Sequence, residues 1–599
     1  MRFNHPDHFL PSNGKVHARE IVAFDIEGDS GDRGFLQASV VSGDGRYIVD
    51  KPEDLAALWH SRSLRDCTWY AHNLGYDLGV ILGVGGYPIS VTLIAGNVFK
   101  GIYYRGKDHR VKFNDSANLM GFLSLNAVGK SVGMEKYPTP PDLLTEDDDI
   151  PEWVCPRHHR KWCVECYCLQ DSEIVYKAVN LFQEFINSYG ANLGNTLAAT
   201  AMNLYRAAFM DREYLTPFPN RNDYARNAYY GGRVEPIAVG LWEDVNCYDV
   251  NSLYPYVMSV FPYPDPDTLV GPTHYTSLEL INKYEGVSDV TVDVPYSDIP
   301  LLPYRYDGKL FFPYGRLRGH YTHIELRRAM SLGARIQIIH TTLYAKRTCA
   351  PFRSYVETLY KRRLEYKATG DPREFVVKRL LNSLYGKFGQ RTDAGLETLI
   401  PMTEYQSRKP QKDVLFYTIN NREYVRLPVP LHGLPSYLNT LWAAYVTAYA
   451  RLTLFDYLCR EDQQVVYCDT DSVFVLGNLP TGKELGQLKL EVEHATYIGY
   501  APKLYRLIKP DGESVFKGKG IPPRYQAQFL KDGYVVFNRP TRWLESLKAG
   551  YAPSVWIEWA KKQQYTTPKR CYIPSEASPE FPRLSQPWEV SELDLWCAQ

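Results

Sequence analysis

Carboxylate side chains recur in the first third of the chain at spacings that suit divalent metal ions. Asp25 and Glu27 stand two residues apart in an apolar segment, which predicts a strand with both carboxylates on one side. Asp77 follows a second apolar segment, and Tyr167 and Asp171 have the i and i+4 spacing of one helix face. Four such acids and a tyrosine could hold two metal ions for an in-line phosphoryl displacement, with the tyrosine orienting the attacking water. Taken singly, each acid is equally compatible with a solvated surface carboxylate.

A second set of acids lies in the middle of the chain. Asp249 follows a strand-like segment, and Asp469 and Asp471 occupy the turn between two apolar segments that predict a hairpin. Acids at strand ends combine a rigid backbone with an exposed side chain, so these three are a second candidate two-metal site. Alone, an Asp-Thr-Asp sequence is usually only a turn.

The segment 378–386 predicts a helix that can bind a nucleotide. Lys378, Asn382 and Tyr385 are spaced by four and three residues and share one face, while leucines cover another. The lysine suits a triphosphate, and the amide and the ring suit a sugar and a base. The alternative is the polar outer face of an ordinary helix.

A cluster of cysteine and histidine directly precedes Tyr167. Cys155 with His158, and Cys163 with Cys166, form two paired ligand knuckles that suit tetrahedral zinc. One hypothesis is a structural zinc site that braces the helix of Tyr167 and Asp171. The alternative is a set of buried free thiols beside a basic loop.

Composition restricts the class of protein. The 599 residues include 68 Lys+Arg and 68 Asp+Glu, so the formal net charge is zero, which neither favours nor excludes a nucleic-acid partner. Charged residues at 23% and hydrophobic residues at 45% exclude a disordered chain, a coiled coil and a collagen. No apolar run of about 18 residues and no apolar leader are present, so we expect a cytoplasmic protein without a membrane span or secretion signal.

The elements that must position these residues predict an α/β and α+β multidomain fold. Residues 1–190 read as α/β, and a second α/β region begins near residue 229. Residues 351–388 are helical with a break at 370–372, and residues 436–460 form an apolar helix before the Asp-Thr-Asp hairpin.

Three short motifs of the first region resemble those of the DEDDy proofreading 3′–5′ exonucleases: Phe-Asp-Ile-Glu-Gly at 24–28, Asn-Leu-Gly-Tyr-Asp at 73–77 and Tyr-Cys-Leu-Gln-Asp at 167–171. The resemblance implies an RNase H-like domain with two divalent metal ions. It implies these roles: catalysis by Asp25, Glu27, Asp77, Tyr167 and Asp171; metal binding by Asp25, Glu27 and Asp171; DNA binding by Asn73 and Tyr76. Family members usually carry Thr after the Glu, whereas this chain has Gly28, so the hydroxyl that helps position the primer end is missing or supplied elsewhere.

Three further motifs, at 249–255, 378–386 and 467–472, resemble motifs A, B and C of the family B DNA polymerases. The resemblance implies a right-hand polymerase of palm, fingers and thumb that uses magnesium or manganese, primer-template DNA and dNTPs. It implies these catalytic and metal-binding residues: Asp249, Val250 (metal only), Asp469 (catalysis) and Asp471. It implies that Tyr254 excludes a 2′-hydroxyl and that Lys367 binds phosphate, a role for which Lys361 and Arg362 are rivals. The other residues implied to contact the nucleotide are Ser252, Leu253, Lys378, Asn382 and Tyr385.

Three other matches imply contacts with DNA. Tyr229, Gly231 and Gly232 resemble the YxGG linker motif, whose alternative is a plain hinge. Lys503 and Tyr505 resemble the KxY motif, and Lys517 stands in what resembles a loop that contacts the DNA backbone downstream.

Two inserted segments favour one branch of the family, the terminal-protein-primed polymerases of small linear phages, linear plasmids and adenoviruses. That branch implies a priming protein as partner, a monomer, processivity and strand displacement. The expected domains are the exonuclease (1–190), linker and first palm part (191–261), first insertion (262–345), fingers (346–390), second insertion (391–435), second palm part (436–530) and thumb (531–599).

Other functions remain open at this point. The polymerase could start from an ordinary primer or without one, or the chain could be a nuclease with a vestigial polymerase half. A non-catalytic nucleic-acid-binding or scaffolding protein would require both acid sets to be accidental.

Overall fold

A computed structural model gives the fold of most of the chain. It describes residues 8–12, 14–17, 19–28, 34–64, 67–84, 87–105, 109–143, 152–391, 395–408, 414–419, 421–429, 434–460, 463–550, 556–562, 569–571 and 582–597. Among the described helices, none is long and apolar enough to cross a membrane.

The N-terminal part alternates strands and helices and ends in a long helix. Its strands are β1 (His8–Phe9), β2 (Ile21–Gly28), β3 (Phe35–Val41), β4 (Arg46–Val49), β5 (Thr68–Ala71), β6 (Ile89–Ile94), β7 (Asn97–Arg105) and β8 (His109–Asp115). Its helices are α1 (Pro52–His60), α2 (Gly75–Val84), α3 (Ser116–Met120), α4 (Leu125–Ser131) and α5 (Val164–Ser188), with a 3-10 turn at Pro141–Leu143.

The strand β2 lies inside the sheet of this part because its residues are apolar on both faces. It pairs antiparallel with β3 and parallel with β5, and β5 pairs parallel with β8. The helix α5 packs across β2 and β3 through an apolar stripe that includes Ile174, Ala178 and Phe182. The N-terminal half of α5 therefore lies beside the acids of β2.

The middle of the chain holds a second group of elements. These are α6 (Leu197–Leu204), β9 (Tyr214–Leu215), α7 (Pro219–Arg226), β10 (Val234–Pro236), β11 (Ala238–Val250), α8 (Leu253–Val260), β12 (Tyr263–Pro264), β13 (Leu269–Thr273), α9 (Leu278–Lys283), β14 (Glu285–Val294), β15 (Tyr304–Tyr306), β16 (Lys309–Phe311), β17 (Gly315–Thr322), α10 (His323–Ser331), β18 (Arg335–Ala345) and β19 (Thr348–Cys349). A π-helical turn spans Tyr205–Phe209, and a 3-10 turn spans Pro266–Thr268.

The rest of the chain continues with a helical pair and returns to strands. Its elements are α11 (Arg353–Thr369), α12 (Arg373–Phe388), β20 (Leu396–Pro401), α13 (Met402–Tyr405), β21 (Leu415–Ile419), β22 (Arg422–Pro428), α14 (Thr440–Leu458), β23 (Gln464–Asp469), β24 (Ser472–Leu476), β25 (Leu488–Ala501), β26 (Leu504–Ile508), β27 (Ser514–Gly518), α15 (Gln526–Asp532), β28 (Tyr534–Pro540), α16 (Trp543–Lys548), β29 (Trp556–Lys562), β30 (Arg583–Leu584) and α17 (Val590–Cys597). A 3-10 turn spans Pro523–Tyr525.

A central sheet carries the second set of acids. Its order is β10-β23-β24-β11-β25-β26-β27, with β30 added to β11. The long strand β11 pairs antiparallel with β24, in a register that sets Asp249 opposite Ser472. Since β23 and β24 form a hairpin, the end of β11 and the hairpin turn meet at one edge of the sheet.

The helical pair opposite this edge ends and restarts where the sequence predicts. Gly370 takes a left-handed φ of 68° as the C-cap of α11, a conformation that favours glycine. Pro372 then precedes the first residue of α12. The helix α14 is buried over most of its length, as its apolar sequence requires.

The segment 262–345, expected as an insertion, contains a sheet of its own. The strand order is β13-β18-β14-β17, with α9 and α10 packed against it. Arg451 of α14 forms a buried ion pair with Glu325 of α10 at 2.6 Å, which ties this sheet to the centre of the molecule.

Two other segments differ from the sequence expectation. The segment 391–435, which reads as polar and turn-rich, forms β20 to β22, and β20 pairs with β6 so that all three strands extend the N-terminal sheet. The segment 531–599, expected as one thumb, divides: β28 and β29 form a hairpin, whereas β30 pairs with β11 and Ser585 N donates to Ile237 O at 2.9 Å. Both differences arise from pairing between strands that are far apart in sequence, which local sequence patterns do not predict.

Candidate active sites

The first acidic site forms where β2, α2 and α5 converge. Asp25 and Glu27 project from β2. One carboxylate oxygen of each and the Cys168 sulfur all lie within 4.8 Å of one another. Asp77 enters from α2, and its Oδ1 accepts a hydrogen bond from Ile26 N at 3.1 Å. The structure thus brings together the acids of β2 and α2, although 50 residues separate them in sequence.

Two residues of α5 and one lysine complete this site. Lys136 Nζ donates to Tyr167 OH at 2.9 Å and forms a close ion pair with Asp171. Thr139 Oγ1 lies 3.2 Å from the same Tyr167 hydroxyl. The tyrosine hydroxyl is therefore fixed from two sides, and Lys136 supplies a positive charge at the edge of the acidic cluster.

Burial and mutual repulsion determine the electrostatics of the first site. Burial raises the pKa of Asp25, Glu27, Asp77 and Asp171, and neighbouring carboxylates raise it further for Glu27 and Asp77. Despite its burial, the pKa of Lys136 is raised because Asp171 and Tyr167 lie beside its ammonium group.

The donor set of this cluster fits hard divalent cations. Asp25 Oδ2 and Asp171 Oδ1 are buried and have no hydrogen-bond partner among the described residues. Burying unpaired carboxylate oxygens is costly unless a cation binds them. Oxygen ligands at this density are those that magnesium and manganese prefer.

Gly28, the residue after Glu27, lies against the Tyr76 hydroxyl. Tyr76 OH accepts a hydrogen bond from Gly28 N at 3.2 Å, and a Cβ on Gly28 would lie 3.0 Å from the same oxygen. A tyrosine hydroxyl therefore occupies the space into which a threonine at position 28 would project. Asn73, on the same segment, is exposed and adopts a left-handed φ of 64°.

The second acidic site lies at the edge of the central sheet. Asp249 is the penultimate residue of β11, Asp469 is the last residue of β23, and Asp471 lies in the turn before β24. Val250 N donates to Asp471 O at 2.7 Å, which locks the two strand ends together. Lys503 Nζ lies 3.1 Å from Asp469 Oδ1.

The three acids of the second site differ in their surroundings. Burial, followed by the negative charge of Asp471, raises the pKa of Asp249 to about 7. Burial also raises the pKa of Asp471. Asp469 instead has the ammonium group of Lys503 beside it. Asp249 and Asp471 are thus the pair whose negative charges most need a cation.

The helix α12 presents its polar face toward this edge. Lys378 and Asn382 are exposed, and Leu380, Leu381 and Leu384 are buried on the other side. The Tyr385 ring stacks on the Tyr254 ring with centroids 4.6 Å apart. This stack forms an aromatic surface between α8 and α12, close to the acids.

A cation that sequence reasoning missed reaches the same place. Arg363 of α11 donates to Ser252 Oγ at 3.0 Å and to Glu374 at 2.8 Å. Lys367, expected at the triphosphate, and its rival Lys361 are exposed, and the other rival, Arg362, pairs with Glu365. Which cation of α11 reaches Ser252 depends on the rotation of the helix, which its sequence does not define.

The linker motif packs directly on the turn of the second acids. Thr470, with a left-handed φ of 61°, donates from its N–H to Arg233 O at 2.7 Å. A Cβ on Gly232 would lie 2.8 Å from the Thr470 side chain, so the glycine is needed for this contact. Tyr229 lies against Gly389 at the end of α12, where a Cβ would come within 2.5 Å of its ring. Gly231 is exposed.

Several expected contact residues have restricted side chains. The side chains of Val250 and Leu253 are buried in the core, so only their backbone atoms can face the site. Tyr505 packs against Tyr467 at 5.1 Å and Phe474 at 5.5 Å, which makes its ring part of the sheet packing. Lys517 was expected in a loop but lies in β27, paired with Tyr505, because the segment completes the sheet edge.

The cysteine and histidine cluster also forms. Ligand atoms of Cys155, His158, Cys163 and Cys166 all lie within 4.8 Å of one another. Cys168, two residues further on, turns the other way, and its sulfur donates to Asp25 O at 3.5 Å. Although Cys168 lies close to the other cysteines in sequence, the helix α5 directs its thiol to the first acidic site.

Comparisons with known proteins agree with this arrangement. A family model described as DNA polymerase type B, organellar and viral, matches residues 152–426. A probable DNA polymerase of Neurospora intermedia is 25% identical over 460 residues, covering 69% of this chain and 45% of the relative. The DNA-directed DNA polymerase of Enterobacteria phage PRD1 is 28% identical over 377 residues, covering 60% of this chain and 62% of the relative. The chain spans less than half the length of the relatives from Neurospora intermedia, Ascobolus immersus and Podospora anserina.

Solved structures show the same fold. Phi29 DNA polymerase complexed with primer-template DNA and incoming nucleotide substrates has a TM-score of 0.64 at 16% identity. The match covers 91% of this chain and 100% of that chain. The N-terminal sheet, the central sheet and the helical pair therefore belong to one known architecture.

Proposed function

We propose that this chain, which is similar over residues 152–426 to the type B DNA polymerases of the organellar and viral group, is a DNA-directed DNA polymerase with a 3′–5′ exonuclease. The observation that carries the proposal is the meeting of Asp249, Asp469 and Asp471 at one sheet edge beside the polar face of α12. A second, separate group of acids on β2, α2 and α5 supports the exonuclease.

The polymerase site can hold two divalent ions on this chain's own oxygens. DNA polymerases of this family use divalent metal ions, and Asp249, Asp471 and the carbonyl of Val250 would bind them here. Bound ions would stabilise the charge that builds on the α-phosphate and on the attacking and leaving oxygens. Lys378 and Arg363 would bind the triphosphate, while Lys503 keeps Asp469 oriented through their ion pair.

At the exonuclease site, Asp25, Glu27 and Asp171 would hold the ions and Tyr167 would orient the attacking water. Lys136 and Thr139 fix the tyrosine hydroxyl, so its direction does not depend on substrate. The ammonium group of Lys136, beside Asp171, would also stabilise negative charge that develops on the scissile phosphate. Magnesium or manganese suits both acidic sites, whereas the sulfur-rich cluster of Cys155 suits a softer ion.

The aromatic stack provides a test of nucleotide selection. We propose that Tyr254 lies under the incoming sugar and excludes a 2′-hydroxyl, because Tyr385 holds its ring in place. Tyr254→Val should increase ribonucleotide incorporation relative to deoxyribonucleotide by on the order of tenfold or more, since it opens space for the extra oxygen. Primer extension with matched rNTP and dNTP measures the ratio of kcat/KM values. Tyr254→Phe, which retains the ring, is the control, and an unchanged ratio in the valine variant would remove the steric role.

The hydroxyl beside Gly28 provides a test of the exonuclease. We propose that Tyr76 OH takes over the contact with the primer end that a threonine makes in relatives, because it occupies that space. Tyr76→Phe should lower the degradation rate of single-stranded DNA by about three- to tenfold, the value of one hydrogen bond, and leave synthesis unchanged. Tyr104→Phe, an exposed tyrosine of the same sheet, is the control. Equal rates for both variants would show that the hydroxyl has no such contact.

The extended N-terminal sheet supports strand displacement. Strands β20 to β22 connect the fingers helix α12 to the edge of the exonuclease sheet, and Ser90 donates to Glu404 at 2.5 Å across that junction. We propose that this connection closes a passage around DNA and that the polymerase displaces the strand ahead of it. On a primed circular single-stranded template with magnesium and dNTPs, products should exceed the length of the circle. Products that stop at that length would argue against displacement.

Protein priming is the second part of the proposal. We assign a terminal protein as partner because the two inserted segments resemble those of the terminal-protein-primed branch, and the sheet β13-β18-β14-β17 provides a surface for it. The alternative is an ordinary primer or unprimed initiation. Phenol extraction of newly replicated genome ends distinguishes the two, since covalently bound protein carries DNA out of the aqueous phase.

A further inference from the structure

The cluster of Cys155, His158, Cys163 and Cys166, which lies outside both acidic sites, has the composition and shape of a closed metal site. Three sulfurs and one imidazole nitrogen converge, with all ligand atoms within 4.8 Å of one another. The three cysteines are at most 7% exposed, so the site is shielded from water. Three thiolates and one histidine are a common ligand set for structural zinc.

The distances agree with tetrahedral zinc. His158 Nδ1 lies 3.5 Å from Cys163 Sγ and 3.5 Å from Cys166 Sγ. Bond lengths of about 2.3 Å to sulfur and about 2.0 Å to nitrogen at tetrahedral angles separate nitrogen and sulfur by about 3.5 Å. The other ring nitrogen, Nε2, lies 3.6 Å from Glu165. Pairing of the second nitrogen with a carboxylate is the usual support of a zinc-bound histidine.

The backbone around the cluster is folded to direct the ligands inward. The residues between the two knuckles form a tight hairpin in which Cys155 N donates to Arg160 O at 2.9 Å and His158 N donates to Cys155 Sγ at 3.2 Å. His159 and Trp162 adopt left-handed φ angles of 53° and 44°. Non-glycine residues in this conformation are strained and require a compensating interaction. A bound metal ion provides one.

The cluster is connected to the exonuclease tyrosine by two routes. Cys163 and Cys166 lie at the start of α5, immediately before Tyr167. On the other side, Trp153 packs on the cluster, stacks on Tyr137 at 4.5 Å and donates to Pro138 O at 2.9 Å. The segment so held is the one that presents Lys136 and Thr139 to the tyrosine hydroxyl.

We propose that this chain binds one structural zinc ion through Cys155, His158, Cys163 and Cys166, and that the zinc positions Tyr167 and its partners for the exonuclease. The zinc-binding half stands on geometry alone, and the positioning half rests on the proposed function. Among the described residues, the contacts traced from the cluster lead to α5 and to the segment of Tyr137 and Pro138, not to the central sheet. We therefore expect DNA synthesis not to depend on the zinc.

Zinc content and activity test the two halves separately. Full-length protein washed with chelator should contain one zinc per chain by elemental analysis, and reconstitution with cobalt should give the visible absorption of a tetrahedral thiolate complex. The double variant Cys163→Ser/Cys166→Ser should contain no zinc. Its exonuclease rate should fall by about tenfold or more, the effect expected when the support of a site residue is removed. Its primer extension should remain within about twofold, which also shows that the protein is folded.

Two further variants keep the test decisive. Cys459→Ser removes an exposed thiol at the end of α14 and should retain zinc and both activities. His158→Cys, which leaves four cysteines as ligands, should retain zinc and, unlike the serine double variant, keep the exonuclease activity.

Absence of stoichiometric zinc in the wild-type protein would overturn the proposal in favour of free thiols. Loss of zinc with an unchanged exonuclease would overturn the positioning half. A wild-type protein that holds zinc but neither synthesises nor degrades DNA would support the metal site and contradict the proposed function instead.

Discussion

Replacing Asp249 by alanine should reduce DNA synthesis by on the order of 10³-fold or more and leave the exonuclease intact. Asp249 lies in β11 and Asp471 in the turn between β23 and β24, and the Val250 N to Asp471 O hydrogen bond joins the two. The negative charge of Asp471 contributes to the raised pKa of Asp249. On the proposed function, removing one carboxylate would remove a ligand of the ions that stabilise the transition state. Asp471→Ala should have the same effect for the same reason.

Primer extension and degradation of single-stranded DNA by the same preparations measure these effects. Asp244→Asn is the matched control, since Asp244 lies on the same strand β11 but pairs with His494 at the surface. An exposed pair of this kind contributes little to stability. Synthesis by the alanine variants at more than a tenth of the wild-type rate would contradict the assignment of this site.

The reverse separation is expected from Asp25→Ala combined with Glu27→Ala. The exonuclease should fall by on the order of 10³-fold or more, because both side chains leave the site that Tyr167 and Asp171 complete. The rate of synthesis should remain within about twofold of wild type, because Asp25 and Glu27 lie in the N-terminal sheet and the polymerase acids lie at the edge of the central sheet. The same assays measure it, with Asp44→Ala, an exposed acid in the turn after β3, as control.

Stability gives a second readout of this double variant. Burial raises the pKa of both acids, so they are destabilising when ionised without a cation. Without divalent ions, the double variant should unfold at a denaturant concentration equal to or higher than wild type. A large loss of stability would mean that these acids hold the fold together rather than a metal site.

The acids were predictable from sequence because each lies in or next to an element that its own sequence defines. The apolar strands that contain Asp25 and Asp249, and the hairpin around Asp469 and Asp471, need only local patterns. The polar face of α12 follows from spacings of three and four residues. Local sequence patterns therefore identified the acids, and the order of the motifs along the chain indicated which acids act together.

Residues that depend on tertiary packing were not predictable in this way. Arg363 rather than its neighbours faces Ser252 because α11 is rotated by its contacts with α12. Tyr76 fills the space beside Gly28 because β2 and α2 meet. The pairing of β20 with β6 joins segments about 300 residues apart, and the turn-rich sequence there carries no signal of it.

Templated addition of one nucleotide tests the central claim most directly. The purified chain would be given a labelled primer on a template, magnesium and each dNTP separately, with the Asp25→Ala/Glu27→Ala variant used to prevent degradation. We predict that only the nucleotide complementary to the template base is added, and that Asp249→Ala in the same background adds none. Two results would contradict the assignment of this protein as a DNA polymerase. One is addition of nucleotides without regard to the template. The other is no addition by the Asp25→Ala/Glu27→Ala variant when the wild-type chain degrades DNA.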